Sequence, residues 1–243
     1  REFLARDSWN PEPIVFSGVT DCYQPAEREF QLTRECLRVA LECRQPVSLI
    51  TKNALVVRDL DLLQPLAEMN LVHVFVSITT LRADLAREME PRTSIPTARL
   101  RAVRMLAEAN VPVGVMTAPV IPGLNDSELP SILKAASESS ARTAAYILLR
   151  LPLTVEPVFI EWLQRTQPGE AGKVLSRLRE TRGGELSSAA WGERMKGKGP
   201  IAEQIRSMFQ VFRSRYGLNG TLPPHNCQLF HPPASASGQK RLF

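Results

Sequence analysis

The sequence predicts an α/β fold: a partial barrel of parallel strands that lacks its first β-α unit and continues into a helical C-terminal extension. Short apolar, β-branched runs alternate with stretches in which apolar residues recur about every 3.6 positions. The first residues resemble the end of a helix, and after Pro152 only helical patterns follow. Such alternation favours parallel strands joined by right-handed helical crossovers.

The elements follow in order along the chain. Apolar runs predict strands over 14–19, 47–51, 72–79, 111–121 and 144–151. Helical spacing lies between them, over 30–43, 60–69, 96–109 and 129–139. These units form a predicted partial barrel over residues 1–152.

The second and third predicted regions differ in composition from the barrel. Residues 153–221 read as a basic extension with helices over 156–165, 169–180 and 201–216 and a glycine-rich loop over 192–200. Residues 222–243 are rich in proline and serine, which predicts an extended tail.

Composition restricts the class of protein. A chain of 243 residues with 44% hydrophobic and 23% charged residues is typical of a globular protein. No apolar run reaches the roughly 20 residues that cross a bilayer, so we expect no membrane partner. Four scattered cysteines do not form a disulfide framework, which favours the cytoplasm.

The charge is distributed unevenly. Residues 1–162 carry a net charge of −3, whereas residues 163–243 carry +8. Clustered lysine and arginine suit a polyanion such as DNA, because binding releases phosphate counterions. A solvated basic surface without a partner is the alternative.

Polar residues stand where the predicted strands stop. Thr20 and Asp21 follow the first strand, Lys52 the second, and Ser77 with Thr79 the third, and the loop after the fourth contains Asn125. Because parallel strands end on the same side, we expect one binding or catalytic face built from these residues.

Each of these residue types suggests a chemistry and has a plainer alternative. Asp21 suits a ligand amine, or a turn or helix cap. Lys52 suits an anion such as a carboxylate, or it is a surface lysine. Arg92 could bind a carboxylate through two hydrogen bonds, or pair with Glu88 or Glu90.

Other motifs carry less information. The stiff loop over 119–126 could place backbone amides and Ile121 against a flat ring, with Gly123 free to adopt positive φ. His225, Cys227 and His231 have spacing that could hold zinc, but no fourth ligand accompanies them. No phosphate-binding Walker loop, HExxH or GxSxG is present.

An ordered set of segments resembles one family. SGVTDCYQPAE, SLITKN, VSITTL, EPRTSIPTARL, APVIPGLND, LLRLP, RGG and GERMKGKGP are similar to the radical S-adenosylmethionine (SAM) proteins related to spore photoproduct lyase, a subgroup called DNA repair photolyase-like. The resemblance covers nearly the whole chain.

The resemblance implies a partial (βα)6 TIM-like barrel with a [4Fe-4S] cluster, SAM and a reductant such as flavodoxin or ferredoxin. A 5′-deoxyadenosyl radical would abstract hydrogen from the substrate. It also implies Thr20 and Asp21 near the methionine part of SAM, Lys52 and Ser77 on its carboxylate, and Ile121 on the adenine side. Arg92 is a further implied contact.

Two features depart from that family. The cluster-binding CxxxCxxC is absent, so we expect the chain to be a fragment that is inactive alone, with no metal ligands of its own. Gly18 replaces the hydrogen-donating cysteine of the lyase. Cys22 and Tyr23 are therefore the candidate hydrogen donors.

The resemblance also suggests partners. Arg194, Lys196 and Lys198 are the candidate DNA contacts, and residues 239–243 resemble a sliding-clamp peptide in which Lys240 replaces a leucine. Two alternatives stay open: a non-catalytic DNA- or clamp-associated adaptor, and a radical SAM enzyme acting on a protein or small molecule.

Overall fold

Five parallel strands form the centre of the molecule. The computed structural model describes residues 1–187 and 193–233. The strands pair in chain order, β1-β2-β3-β4-β5, with Val47 opposite Val72 and Val74 opposite Val113. Their bounds are β1 Ile14–Phe16, β2 Val47–Thr51, β3 Val72–Ser77, β4 Val113–Val120 and β5 Thr143–Leu148. The predicted α/β fold is confirmed.

Helices connect and follow the strands. They are α1 Glu27–Phe30, α2 Leu32–Cys43, α3 Leu60–Glu68, α4 Ala83–Met89, α5 Pro96–Glu108, α6 Leu129–Glu138, α7 Val155–Thr166, α8 Pro168–Glu180 and α9 Pro200–Arg215. Short 3₁₀ turns occupy Ala54–Asp59, Asp126–Glu128 and Cys227–Leu229. In the described ranges, no helix has the length and apolarity needed to span a membrane.

Alternate strand residues separate two faces of the sheet. Val47, Leu49, Val74 and Val113 are fully buried in the main apolar cluster together with the helices. The strand residues that alternate with these point to the other, inner face of the sheet. This face includes Ile50, Ser77 and Ala118 near the carboxyl ends of the strands. This inner face opens at the carboxyl ends of the strands.

Within the described part of the chain, two apolar clusters hold the helices. The main cluster contains the sheet and also α9, through Ala202, Ile205 and Phe209. A second cluster joins α7 and α8 to α4 and to the segment after β4, through residues that include Leu85, Ile121, Leu124, Leu149, Phe159 and Val174. The α7–α8 pair is thereby fixed beside the carboxyl end of β4.

The chain after α9 runs along the amino ends of the strands. Asn219 bridges to Thr143 at the start of β5. The Asn226 amide donates to the Asn70 carbonyl at 3.0 Å, and the His231 amide donates to the Cys43 carbonyl at 3.0 Å. We call residues 218–231 the C-terminal strap.

Candidate functional site

A small polar cavity lies at the carboxyl ends of β1 to β4. Its volume is about 210 Å³, and its lining residues are Ser17, Asp21, Ile50, Thr51, Lys52, Ser77 and Ala118. Three of the residues predicted from strand ends, Asp21, Lys52 and Ser77, are therefore brought together. Four separate loops and strands supply the polar groups.

Asp21 ties the loop after β1 to the end of β2. Its Oδ1 accepts hydrogen bonds from the Tyr23 amide at 2.8 Å and the Thr51 hydroxyl at 2.7 Å, and its Oδ2 accepts from the Lys52 amide at 2.7 Å. A carboxylate oxygen can accept two hydrogen bonds. Oδ2 therefore keeps capacity for one donor from the cavity.

Lys52 is paired with a carboxylate that is almost fully buried. Its Nζ lies 2.8 Å from Oε1 of Glu90, and the two side chains are 30% and 6% exposed. An ammonium has three N–H donors, so two of them can serve the cavity. Burial alone would raise the pKa of Glu90, but Lys52 and Arg99 outweigh burial and hold that pKa below its usual value.

Arg99 is a site residue that the sequence did not identify. It is 1% exposed and donates to Oε2 of Glu90 at 2.7 Å. Its place on the apolar side of α5, three, four and seven positions before Ala102, Val103 and Leu106, could have indicated burial. The sequence suggests Glu90 only as a partner for Arg92, but Arg92 is exposed and does not line the cavity.

Thr79, Ile121 and Asn125 build the wall behind the cavity. The Thr79 hydroxyl donates to Oε2 of Glu90 at 3.0 Å. Asn125 accepts from the Ile121 amide at 2.6 Å and donates to the carbonyls of Thr79 at 2.8 Å and Pro119 at 3.1 Å. Ile121 is 1% exposed and packs in the second apolar cluster. These contacts tie the loop after β4 to the end of β3.

The two candidate hydrogen donors occupy different surroundings. The Cys22 Sγ lies 3.9 Å from the carbonyl of Ile50, a cavity residue, and burial raises the pKa of Cys22 to about 12. Tyr23 is fully buried and donates to Asp59 at 3.0 Å. Thr20 is exposed on the loop after β1 and does not line the cavity.

The basic candidate residues lie away from the cavity lining. Lys196 is exposed, Lys198 lies 3.4 Å from Glu193, and Arg194 is partly buried. Arg182, in the same basic region, is 5% exposed and donates to the carbonyls of Glu193 and Leu149. The clamp-like residues 239–243 lie outside the described residues.

The His225, Cys227 and His231 group is part of the C-terminal strap. His225 stacks on His73 with ring centroids 3.9 Å apart, and its Nε2 lies 3.1 Å from the Ser48 hydroxyl. Within residues 1–187 and 193–233, no three His, Cys, Asp or Glu side chains are placed to hold a metal ion. His225 thus faces the ring of His73.

The described residues fit one of the two groups that the resemblance implies. Cys22, Cys36, Cys43 and Cys227 are separate free thiols, so the described residues do not fit an iron-sulfur cluster. The cavity does fit the amino acid part of SAM, because it combines an ammonium, a carboxylate with spare accepting capacity and hydroxyl groups.

A family profile matches the part of the chain that contains this cavity. The Radical SAM superfamily profile covers residues 2–136, which is more than half of the chain. This chain belongs to the radical SAM superfamily. The family uses a [4Fe-4S] cluster and SAM, which confirms the predicted cofactor class.

Curated relatives of this radical SAM chain come from distant organisms. An uncharacterized protein of Mycobacterium tuberculosis (strain ATCC 25618 / H37Rv) is 32% identical over 182 residues, 74% of this chain and 52% of its own length. An uncharacterized protein of Methanocaldococcus jannaschii is 29% identical over 163 residues, which is 67% of this chain and 59% of its own length. An uncharacterized protein of Acidianus two-tailed virus is 33% identical over 212 residues, which is 87% of this chain and 62% of its own length. The chain thus spans about half to three fifths of these relatives.

A solved structure shares the fold. A mutant of spore photoproduct lyase superposes with a TM-score of 0.53 at 16% identity, covering 76% of this chain and 53% of that chain. The parallel α/β fold predicted from the strand-helix alternation is therefore confirmed, together with the similarity to spore photoproduct lyase that the sequence resemblance implied.

Proposed function

We propose that this chain is the SAM-binding part of a radical SAM enzyme that abstracts hydrogen from a nucleic-acid substrate. The cavity at the carboxyl ends of β1 to β4 is the observation that supports the proposal, because the Lys52 ammonium and the Asp21 carboxylate both line it. A zwitterionic amino acid group needs one partner of each charge.

Each cavity residue has a defined task in this proposal. Lys52 and Ser77 hold the carboxylate of the methionine part, and Oδ2 of Asp21 accepts from its amine. Thr51 and the Lys52 amide hold Asp21 in place through the hydrogen bonds at 2.7 Å. Thr79, Ile121 and Asn125 keep the wall rigid, and Thr20 and Arg92 reach the ligand only if their exposed loops close over it.

Bound SAM supplies the 5′-deoxyadenosyl radical in this superfamily. Cys22 is the better of the two candidate hydrogen donors, because its thiol stays protonated beside the cavity residue Ile50. A protonated thiol carries a hydrogen atom that it can donate. The Tyr23 hydroxyl, bound to Asp59, is directed to the core.

The nucleic-acid part of the proposal is supported by charge. Residues 163–243 carry +8, and Lys196 is an exposed cation that forms no ion pair with the carboxylates of the described residues. Arg194 and Lys198 flank it in the same loop. Arg182 is excluded from this role because its guanidinium holds backbone carbonyls.

Calorimetric titration of SAM into the 243-residue chain tests the cavity. We expect Lys52→Gln to weaken binding roughly tenfold or more, because a hydrogen bond to a charged group contributes about 1.5–3 kcal/mol. Lys134→Gln is the matched control, since Lys134 is 61% exposed on α6 and pairs only loosely, at 3.8 Å, with Glu138. Equal affinities for the two variants would remove Lys52 from the site.

Binding of a single-stranded oligonucleotide at several salt concentrations tests the substrate class. Lys196→Glu should weaken binding and reduce the dependence on salt, because fewer counterions are released. Lys134→Glu again serves as the control. An unchanged salt dependence would favour the alternative that the substrate is a protein or small molecule.

A further inference from the structure

One carboxylate lies between two cations beside the cavity. Oε1 of Glu90 faces Lys52 Nζ at 2.8 Å, and Oε2 faces Arg99 Nη2 at 2.7 Å. Glu90 follows α4 directly, whereas Lys52 follows β2 and Arg99 belongs to α5. The contact therefore joins three separate elements at the edge of the site.

Arg99 has no freedom to move within this group. Its Nε donates to the Ser94 carbonyl at 2.7 Å and its Nη1 to the Ser77 carbonyl at 3.0 Å. Its Nη2 also donates to the Thr93 hydroxyl at 2.6 Å. A planar guanidinium with all three nitrogens engaged holds a fixed orientation, so Glu90 has a rigid anchor.

Lys52 is the most exposed member of the group. Its side chain is 30% exposed, against 6% for Glu90 and 1% for Arg99. A free lysine side chain loses about 2 kcal/mol of conformational free energy when it is fixed. The contact with Glu90 fixes the ammonium before a ligand arrives, so the ligand does not bear that loss.

The charges show why this arrangement keeps Lys52 attractive to an anion. A single carboxylate next to Lys52 would cancel its charge. Arg99 offsets Glu90, since it binds the other carboxylate oxygen, and the three side chains together keep one positive charge. Lys52 is the most exposed of the three and lines the cavity, so the positive charge is available to a ligand there.

We infer that Glu90, anchored by Arg99, is the positioning residue for the Lys52 ammonium, and that this arrangement makes the cavity selective for ligands with a carboxylate. The inference rests on the proposed function, since it assigns the selectivity of the same cavity. Glu90 acts through Lys52 and does not touch the ligand.

The test compares two ligands that differ only in the carboxylate. SAM and decarboxylated SAM are titrated into the chain and into its Glu90→Gln variant, whose amide still accepts from Arg99. We expect Glu90→Gln to bind SAM about tenfold more weakly and to bind decarboxylated SAM within about twofold of the parent, a coupling of normal size for groups in direct contact. General damage to the cavity would weaken both ligands equally.

A second background isolates the route through Lys52. In a Lys52→Gln chain, adding Glu90→Gln should change SAM affinity by less than about twofold, because the group that Glu90 positions is already absent. Glu88→Gln is the matched control, since Glu88 is exposed on α4 and binds Gln167 at 2.7 Å. If Glu90→Gln does not fold, Glu90→Asp, which withdraws the oxygens by one carbon, replaces it with the same expectation.

The outcomes separate this inference from the proposed function. A parent chain that binds both ligands equally or neither overturns the assignment of the cavity to SAM, and the inference with it. A second result would be that the parent binds SAM more tightly than decarboxylated SAM and loses this preference in Lys52→Gln, while Glu90→Gln keeps the SAM affinity of the parent. That result leaves the proposed function standing and overturns the inference alone. If Glu90→Gln lowers SAM affinity equally in the parent and in the Lys52→Gln chain, the inference is overturned as well.

Discussion

Cys22 and Cys36 show how strongly one residue's surroundings control a thiol. Cys22 belongs to the loop after β1, its Sγ lies 3.9 Å from the Ile50 carbonyl, and burial raises its pKa to about 12. Cys36 is exposed on α2, although partial burial raises its pKa too. The thiolate is the reactive form, so the two residues should differ in rate of alkylation.

We expect iodoacetamide at pH 8 to modify Cys36 well before Cys22. At that pH roughly one Cys22 thiol in ten thousand is ionised, given a pKa of about 12. Peptide mass spectrometry over a time course measures both sites in the same sample. Equal rates would contradict a protonated, shielded Cys22.

Asp59 is the residue on which the loop carrying Asp21 and Cys22 depends. It is fully buried and accepts hydrogen bonds from Tyr23 at 3.0 Å, Arg34 at 2.7 Å and Arg58 at 2.8 Å. Burial alone would raise the pKa of Asp59, but the two arginines hold it below its usual value.

Asp59→Asn should lower the free energy of unfolding by about 2 kcal/mol, because it removes the fully buried carboxylate that Arg34 and Arg58 share. The two arginines keep a second partner each, Asp61 and Glu27, which limits the loss. Asp61→Asn, at a 56% exposed carboxylate, should cost less than about 1 kcal/mol. Urea unfolding at pH 7 measures both.

The pH dependence of the Asp59 variant follows from the direction of the shift. A carboxyl whose folded pKa is lowered stabilises the protein above its unfolded pKa and loses that contribution as the pH falls through the folded value. The difference between the parent and Asp59→Asn should therefore shrink below about pH 4. A difference that stays constant at low pH would show that charge is not its source.

At the scale of elements, β3 and β4 approach closely at a glycine. A Cβ on Gly114 would lie 2.7 Å from Phe75 Cε1 and 2.8 Å from Thr143 Cγ2, on the inner face of the sheet. Phe75 and Thr143 lie on the two strands that pair with β4, so both side chains would have to rotate away to admit the added Cβ.

Gly114→Ala should destabilise the protein by about 1–3 kcal/mol, which is typical of overpacking in a core. The matched control is Gly172→Ala in α8, where an added Cβ meets nothing within 4 Å. That change should stabilise the protein by up to about 1 kcal/mol, because alanine favours a helix. Thermal unfolding compares the two, and equal effects would contradict the close approach.

The elements were predictable to different extents. Strand and helix positions followed from periodicity, because burial on one side imposes it. The residues at strand ends followed from the parallel topology, which brought Asp21, Lys52 and Ser77 to one cavity. Glu90 did not follow, because the turn after α4 that presents Glu90 to Lys52 has no periodic pattern. The position of Arg99 on the apolar side of α5 indicates burial but not the partner that Arg99 binds.

At the scale of the whole molecule, the C-terminal strap connects the amino ends of the strands. It is bound through backbone contacts to Asn70 and Cys43 and through His225, which stacks on His73 and contacts Ser48. His73 also contacts the Pro223 carbonyl at 2.7 Å. The tail predicted from the sequence as extended is thus held against the fold as far as residue 231.

The strap should make stability depend on pH in a narrow window. Burial, followed by the neighbouring His73, lowers the pKa of His225 to about 4. A histidine held neutral in the fold stabilises the protein above its unfolded pKa of about 6.5, and the contribution declines as the pH falls from there to about 4. The cause is that the unfolded chain takes up the proton first.

Unfolding by urea at pH 7 and pH 5 checks this effect. The parent should lose stability between the two values, and His225→Gln should lose less, because glutamine can keep a hydrogen bond to Ser48 and does not titrate. His231→Gln is the control, since the recorded contact of His231 is its backbone amide to Cys43. If His225→Gln declines as steeply as the parent, another group titrates, and the strap is held by its backbone contacts rather than by the histidine pair.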